Sequence, residues 1–207
     1  MAGVRVWRVA AIVFLSGCAS KQVPIPLAPD AISKAGTRVG IVVAAPLPTA
    51  DTTFPGADCL LCMAAANIAN TSLTSHTKTL TNDDLAKIRD DFARAIRKKG
   101  ATPILIAQPL TISELPESDR NGPNIARIDY RPLAKRLEID KILVIHYQGL
   151  GMIRTYANYF PTSAPRGYVS GVGYLINLTD NTYEWYAPFM VQKAADGNGM
   201  KHRTFRA

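Results

Sequence analysis

The sequence predicts an α/β domain, a two-layer mixed sheet in which β-α-β-α-β is followed by an antiparallel β-hairpin. Three observations predict it. Two apolar runs, residues 39–44 and 141–147, are short, rich in Val and Ile, and bounded by polar or Pro residues, as in strands buried on both faces. Residues 83–99 carry an apolar stripe at helical spacing (Leu85, Ile88, Phe92, Ala95, Ile96). Residues 168–178 alternate with a period of two, and a Thr179-Asp180-Asn181-Thr182 turn leads into a return strand.

The elements follow in order. The first strand begins at Arg38. The helix over 83–99 has Thr81 placed to cap it with Asp84 three residues on. Asp83, Asp84, Asp90 and Asp91 crowd its start and Arg94, Arg97, Lys98 and Lys99 its end, an order that complements the helix dipole. Gly100 terminates it. A second strand is expected over 102–107, an irregular stretch over 108–128, and a short helix over 130–137 with Pro132 in its first turn. With the third strand over 141–147 this makes three parallel strands joined by right-handed crossovers. The hairpin closes with a strand over 183–191 that carries Trp185, Tyr186 and Phe189; Pro188 marks it as an edge strand or a bulge.

Composition sets limits. The chain has 207 residues, 47% of them apolar, which excludes wholesale disorder. Three cysteines are too few for a disulfide scaffold. The net charge is +8, but Arg5 and Arg8 hold two of those charges and Lys201, Arg203 and Arg206 three, which leaves +3 on residues 18–200. No basic stripe remains, so no nucleic-acid partner is expected.

The N-terminus sets the address. Arg5 and Arg8 precede a short apolar segment, then Leu15-Ser16-Gly17-Cys18. This resembles the lipobox of bacterial lipoproteins at all four positions. The resemblance implies a signal peptide over 1–17, diacylglycerol on the Cys18 thiol, and acylation of the new amine with a chain such as palmitate. Ala19 and Ser20 follow, with no Asp at the second position, which by the same resemblance favours the outer membrane. Residues 18–37 hold Pro24, Pro26 and Pro29 and read as an extended tether, ahead of a periplasmic domain over 38–192. The tail, 193–207, has no apolar period and is expected to be disordered. Its abrupt basic composition reads as a change of reading frame near Asn198.

The order of elements with the closing hairpin is similar to a group of periplasmic α/β domains: the curli secretion channel lipoprotein, the N-terminal domain of TolB, and lipoprotein activators of penicillin-binding proteins. The segment from Tyr174 to Trp185 looks like their apolar strand, acid-bearing turn and Trp-terminated strand, with Asp180 and Trp185 at the matching positions and the turn glycine absent. The block over 54–66 is foreign to them and resembles a set of uncharacterised proteobacterial lipoproteins.

That block holds the oddest chemistry. In Cys59-Leu60-Leu61-Cys62 the two thiols stand three apart, on one face of a helix that Asp58 is placed to cap. A metal site needs four good ligands, and only His76 is near, so no metal is expected. A redox pair stays open, because a thiol at a helix N-terminus has a lowered pKa; so does a structural disulfide in an oxidising compartment. Leu60, Leu61, Met63 and Ile68 make the helix apolar all round, so it either packs into the domain or offers an apolar surface. It sits in a connection of over thirty residues, and long connections are often functional.

Elsewhere the chemistry is thin. His146 lies inside a buried-type strand. Gly171-Val172-Gly173 is followed by more strand, so it is a packing feature and not a phosphate loop. No nucleophile elbow is present, and no catalytic residue or cofactor is expected. Tyr156, Tyr159 and Phe160 decorate the loop after the third strand and either form a contact site or fold back on the sheet. The sequence thus predicts a non-enzymatic outer-membrane lipoprotein that binds or regulates an envelope partner through Leu60, Leu61, Met63 and those three aromatics. A thiol-disulfide protein using Cys59 and Cys62 is the alternative; a self-associating subunit of an envelope secretion assembly is a third.

Overall fold

A computed structural model describes residues 22–194. Residues 1–21, which hold the expected signal peptide and Cys18, and residues 195–207, which hold the expected disordered tail, lie outside the described residues. In chain order the elements are β1 (Arg38–Ala45), β2 (Asp51–Thr53), α1 (Leu60–Ala69), α2 (Thr71–Thr77), a 3-10 turn (Asp83–Lys87), α3 (Ile88–Lys99), β3 (Thr102–Leu105), β4 (Leu110–Thr111), a 3-10 turn (Ile112–Glu114), α4 (Pro132–Leu137), β5 (Lys141–Ile153), β6 (Tyr156–Ala157), β7 (Phe160–Pro161), β8 (Arg166–Asn177) and β9 (Thr182–Ala194).

The main sheet runs β3-β1-β5-β8-β9, with β2 also beside β5 and β4 beside β1. β1 pairs in parallel with β3 and β5, and β8 in antiparallel with β5 and β9. The mixed α/β class is as the sequence predicts. Alternation along β1 explains its unbroken apolar run. Val39, Ile41 and Val43 face Ala93 and Ile96 of α3 on one side, while Val42 and Ala44 face Leu133 of α4 and Tyr130 on the other. The sheet is therefore covered on both faces, with α3 and α4 on opposite sides, as right-handed crossovers to β3 and then across β1 to β5 require.

Several boundaries move. Thr81 caps nothing: the chain opens on a 3-10 turn over Asp83–Lys87 before α3, a common way to start a helix. Gly100 ends α3 in the left-handed region, φ +106°. β5 runs on past Tyr147 to Ile153, through a register shift between Tyr147 and Gly149. Gln148 and the glycines around it look like a strand end in sequence, but a bulge absorbs one residue and the ladder resumes. Gly173 has no Cβ because the Trp185 ring lies over it; a Cβ there would come within 2.6 Å of the indole.

Residues 22–37, expected as a free tether, lie on the domain. Ile25 exchanges two backbone hydrogen bonds with Tyr186 of β9. Ala31 and Ile32 are buried beneath α3, and the Lys141 ammonium donates to the Ala31 carbonyl. Since Tyr186 turns its N–H outward to Ile25, the residue two on, Pro188, omits a donor that would face out of the sheet edge. Lys193 and Ala194, expected in the tail, are in β9 and pair with Gly167 and Arg166.

The stretch over 108–131 is irregular but ordered. Asn181, in the hairpin turn at φ +62° and fully buried, accepts from the Tyr130 N–H and donates to the carbonyls of Ala126 and Ile128, each at 2.9 Å. Asp180 accepts from the N–H and the hydroxyl of Thr182, so the turn acid and the left-handed Asn take the place of a turn glycine.

Candidate functional site

Past the end of β1 the sheet continues as β2, β5 and β8, and the segment over 54–77 is built on that extension. Phe54, Ala57, Cys62, Ala66 and Tyr156 form a small core of their own, with Phe54 and Tyr156 in edge-to-face contact at 5.8 Å. The β6–β7 hairpin lies along residues 53–56. Arg154 N–H donates to Thr53, Tyr156 N–H to Pro55 and Asn158 N–H to Gly56, at 2.8 to 3.1 Å. Gly56 makes the approach feasible: its φ is +88°, and a Cβ there would meet the Tyr156 carbonyl oxygen at 1.9 Å.

Cys59 and Cys62 are joined in a disulfide. The cap of α1 is Cys59 and not Asp58: its sulfur accepts from the Cys62 N–H at 2.9 Å. Asp58 sits one residue too early to reach that donor. The far end of α1 is held by Asn70, which is 4% exposed. Its Nδ2 donates to the Ala66 carbonyl at 2.7 Å and to the Tyr156 hydroxyl at 2.6 Å, and its Oδ1 accepts from Arg154 Nη1 at 3.0 Å. Arg154 also donates to the Ser163 carbonyl. Asn70 and Arg154 are the positioning residues that the sequence does not reveal.

The outcome is a helix turned inside out. At about 100° per residue, Cys62 and Ala66 share one face of α1, while Leu60, Leu61, Ala64 and Ile68 centre on the opposite one, roughly 160° away. The buried residues are small and the large ones are exposed: Leu60 is 92% exposed, Leu61 72%, Ile68 78% and Met63 40%. The hairpin tip extends the surface with Tyr159 and Phe160, which are 51% and 75% exposed. The Tyr159 hydroxyl lies 3.7 Å from Cys59 Sγ, bringing the tip against the start of α1. Tyr156, expected among the contact residues, is instead buried, because alternation in β6 turns it inward and Ala157 outward.

The surface holds no formal charge of its own, since residues 59–77 contain no Asp, Glu, Lys or Arg. Several displaced titrations belong to the main sheet. Burial holds His146 below the ordinary imidazole range, and it pushes Tyr147 and Tyr183 up to about 12. Among the described residues no three His, Cys, Asp or Glu side chains gather as metal ligands, and no helix is long and apolar enough to cross a membrane.

No family profile matches the sequence, and no curated protein sequence matches it. Solved structures that are similar in part include the following two. A PelC dodecamer from Paraburkholderia phytofirmans superposes with a TM-score of 0.35 at 10% identity, over 84% of this chain and 79% of that one. The lipoprotein GNA1162 from Neisseria meningitidis gives a TM-score of 0.30 at 12% identity, over 79% of this chain and 88% of that one.

Proposed function

We propose that this chain is an outer-membrane lipoprotein, acylated on Cys18 after removal of residues 1–17, whose periplasmic domain is a non-catalytic binding module for an envelope component. One observation carries the binding role: α1 and the hairpin tip set six large apolar side chains in solvent on a polar-braced frame. At roughly 150–250 Å² for each aromatic and somewhat less for each aliphatic, their exposed fractions amount to on the order of 800 Å², beyond the few hundred Å² a typical monomer shows in one patch. The lipobox supports the address.

Growth with a labelled fatty acid tests the anchor, with label expected on the wild type and absent from Cys18→Ser. A photo-crosslinker in place of Leu61, used in intact membranes, tests the surface. It should crosslink an envelope component that the same group at Lys98, on exposed α3, does not reach. Equal crosslinking from both positions overturns the binding role.

A second reading is favoured by the exposure of Cys59 at the N-cap of α1 with Cys62 buried beneath it. In the disulfide the exposed Cys59 sulfur is open to attack by an incoming thiolate with Cys62 as the leaving thiolate, and in the reduced pair a Cys59 thiol at the helix N-terminus is stabilised as the attacking thiolate, so the pair is arranged for thiol–disulfide exchange. Cys62→Ser leaves the attacking sulfur in place, and mixed disulfides trapped through Cys59 would support this reading. If none forms in an oxidising periplasm, the disulfide is structural.

A further inference from the structure

We infer that the occupant of the apolar face is the surface of a lipid bilayer, met by Leu60, Leu61, Met63, Ile68, Tyr159 and Phe160; the role of the Cys18 anchor in this rests on the function proposed above. The shape of the face selects the occupant. It is a ridge, a helix with a hairpin tip beside it, and its side chains stand clear of their surroundings by up to 92%. A two-fold contact with a second copy brings the same patch to both sides, so each protruding side chain needs a hole in that same patch. Two cavities of the domain lie elsewhere, one beside Thr49 and Asn82 and one between Leu110 and Arg136. Fluid acyl chains need no preformed hole, and an apolar helix face settles into the headgroup–acyl boundary by roughly 5–10 Å.

Charge points the same way. The nineteen residues over 59–77 carry no Asp, Glu, Lys or Arg in a chain where such residues make up 19%. Asn67, Thr71, Ser72 and Ser75 are exposed polar residues of α1 and α2, which hydrogen-bond at a headgroup layer without an ionic cost; the nearest charges in sequence are the exposed Asp58 and Lys78 at the two ends of the segment. Binding of this kind depends on apolar burial and not on attraction to anionic lipid.

The chain outside the described residues supplies the second contact. Gln22 reaches the Asn124 side chain at 3.5 Å, and Asn124 lies beside Tyr183, near the end of the sheet where β5 begins. From Gln22 to Cys18 is four residues, at most about 14 Å of chain. The apolar ridge follows Ile153, eleven β5 residues on from Ile142, roughly 35 Å toward the other end of the sheet. An acyl anchor at one end and the ridge at the other give the domain two attachments separated along the sheet. The anchor holds the ridge at high effective concentration over the bilayer, so the ridge needs only modest affinity of its own.

Flotation with phosphatidylethanolamine–phosphatidylglycerol vesicles tests this. The protein is the mature chain, residues 18–207 with Cys18→Ser, which retains every described residue and has no acyl chain to bind for it. It should float with the vesicles, and the bound fraction should change less than about twofold between about 50 and 500 mM NaCl, since no ion pairing is involved. L61D/I68D should reduce the bound fraction tenfold or more with an unchanged melting temperature, both positions being exposed. Failure of the unacylated chain to float, flotation that salt abolishes, flotation unaffected by L61D/I68D, or a patch-dependent dimer in light scattering each overturns the inference. Failure of Cys18 acylation in cells overturns the anchor alone, because flotation of the unacylated chain does not depend on it.

Discussion

Replacing Asn70 with Ala removes the polar joint between α1 and the β6–β7 hairpin. Three hydrogen bonds go with it: two from Nδ2, to the Ala66 carbonyl and the Tyr156 hydroxyl, and one accepted by Oδ1 from the Arg154 guanidinium. A neutral hydrogen bond contributes about 1 kcal/mol net and one to a charged group about 1.5–3, so the loss is about 3–5 kcal/mol if nothing replaces them. Arg154 keeps the Ser163 carbonyl, which favours the lower half of that range. With a urea slope of about 2 kcal/mol per molar, a loss of about 3 kcal/mol moves the midpoint down by about 1.5 M. The two sides of the joint should also open locally, so hydrogen exchange should accelerate in peptides covering 60–77 and 153–162 and not in those covering β1 or α3. A midpoint shift under about 0.5 M, or unchanged exchange over 153–162, refutes the view that Asn70 joins helix to hairpin.

Gly56→Ala places a Cβ 1.9 Å from the Tyr156 carbonyl at a φ of +88°, so the hairpin must leave the 53–56 segment; the Tyr159 and Phe160 environments should change in NMR spectra while those of Trp185 and Phe92 do not. Asn181→Ala strips the Tyr130 N–H and the Ala126 and Ile128 carbonyls of their partner and should cost about 2–4 kcal/mol in chemical denaturation; a cost below about 1 kcal/mol overturns its role as the clasp of the 108–131 stretch. Burial raises the folded-state pKa of Tyr147 and Tyr183 to about 12, above the unfolded value near 10. Their contribution is therefore fully present below about pH 10 and is lost as pH rises toward 12. Phenolate absorbance from these two should appear together with loss of structure; early ionisation in an intact fold contradicts their burial.

How much of this was legible depends on whether a neighbour in sequence or a neighbour in space decides. β1, the first run of β5, α4 with its leading Pro132, and the alternation of β8 are set by local pattern, and they lie where the pattern puts them. Cys59 and Cys62 are three apart in sequence, so their pairing was open to a local reading. Asn70, Arg154 and Asn181 were not, because their roles exist only through partners tens of residues away: Asn70 reads as a helix-end polar residue until Tyr156 arrives from 86 residues on. The docked course of 22–37 was hidden in the same way, since three prolines suit an extended tether and an extended edge segment equally, and only distant partners, Tyr186 and Lys141 among them, decide between the two.

The apolar helix shows why pattern fails there in an informative way. Helices ordinarily bury their large side chains because each contributes about 1.5–3 kcal/mol on burial. α1 buries Cys62 and Ala66 instead, which contribute less, and it forgoes Leu60, Leu61 and Ile68. A helix of ten residues does not hold its shape in water on propensity alone, so something else must hold it. That role falls to the Cys59–Cys62 disulfide and the sulfur cap at one end, the Asn70–Arg154–Tyr156 joint at the other, and the glycine contact that seats the hairpin between them. Covalent and polar bracing takes over from apolar packing, and the apolar side chains are left outside. A helix that needed only to be stable would do the reverse with the same composition, by exchanging Ala66 and Leu61 between its faces. L61A/A66L should therefore stabilise the domain if the Ala66 site has room, or merely strain it if not, and in either case should weaken vesicle binding by removing Leu61 from the ridge. Retained binding at wild-type strength would mean that the ridge does not do the contacting.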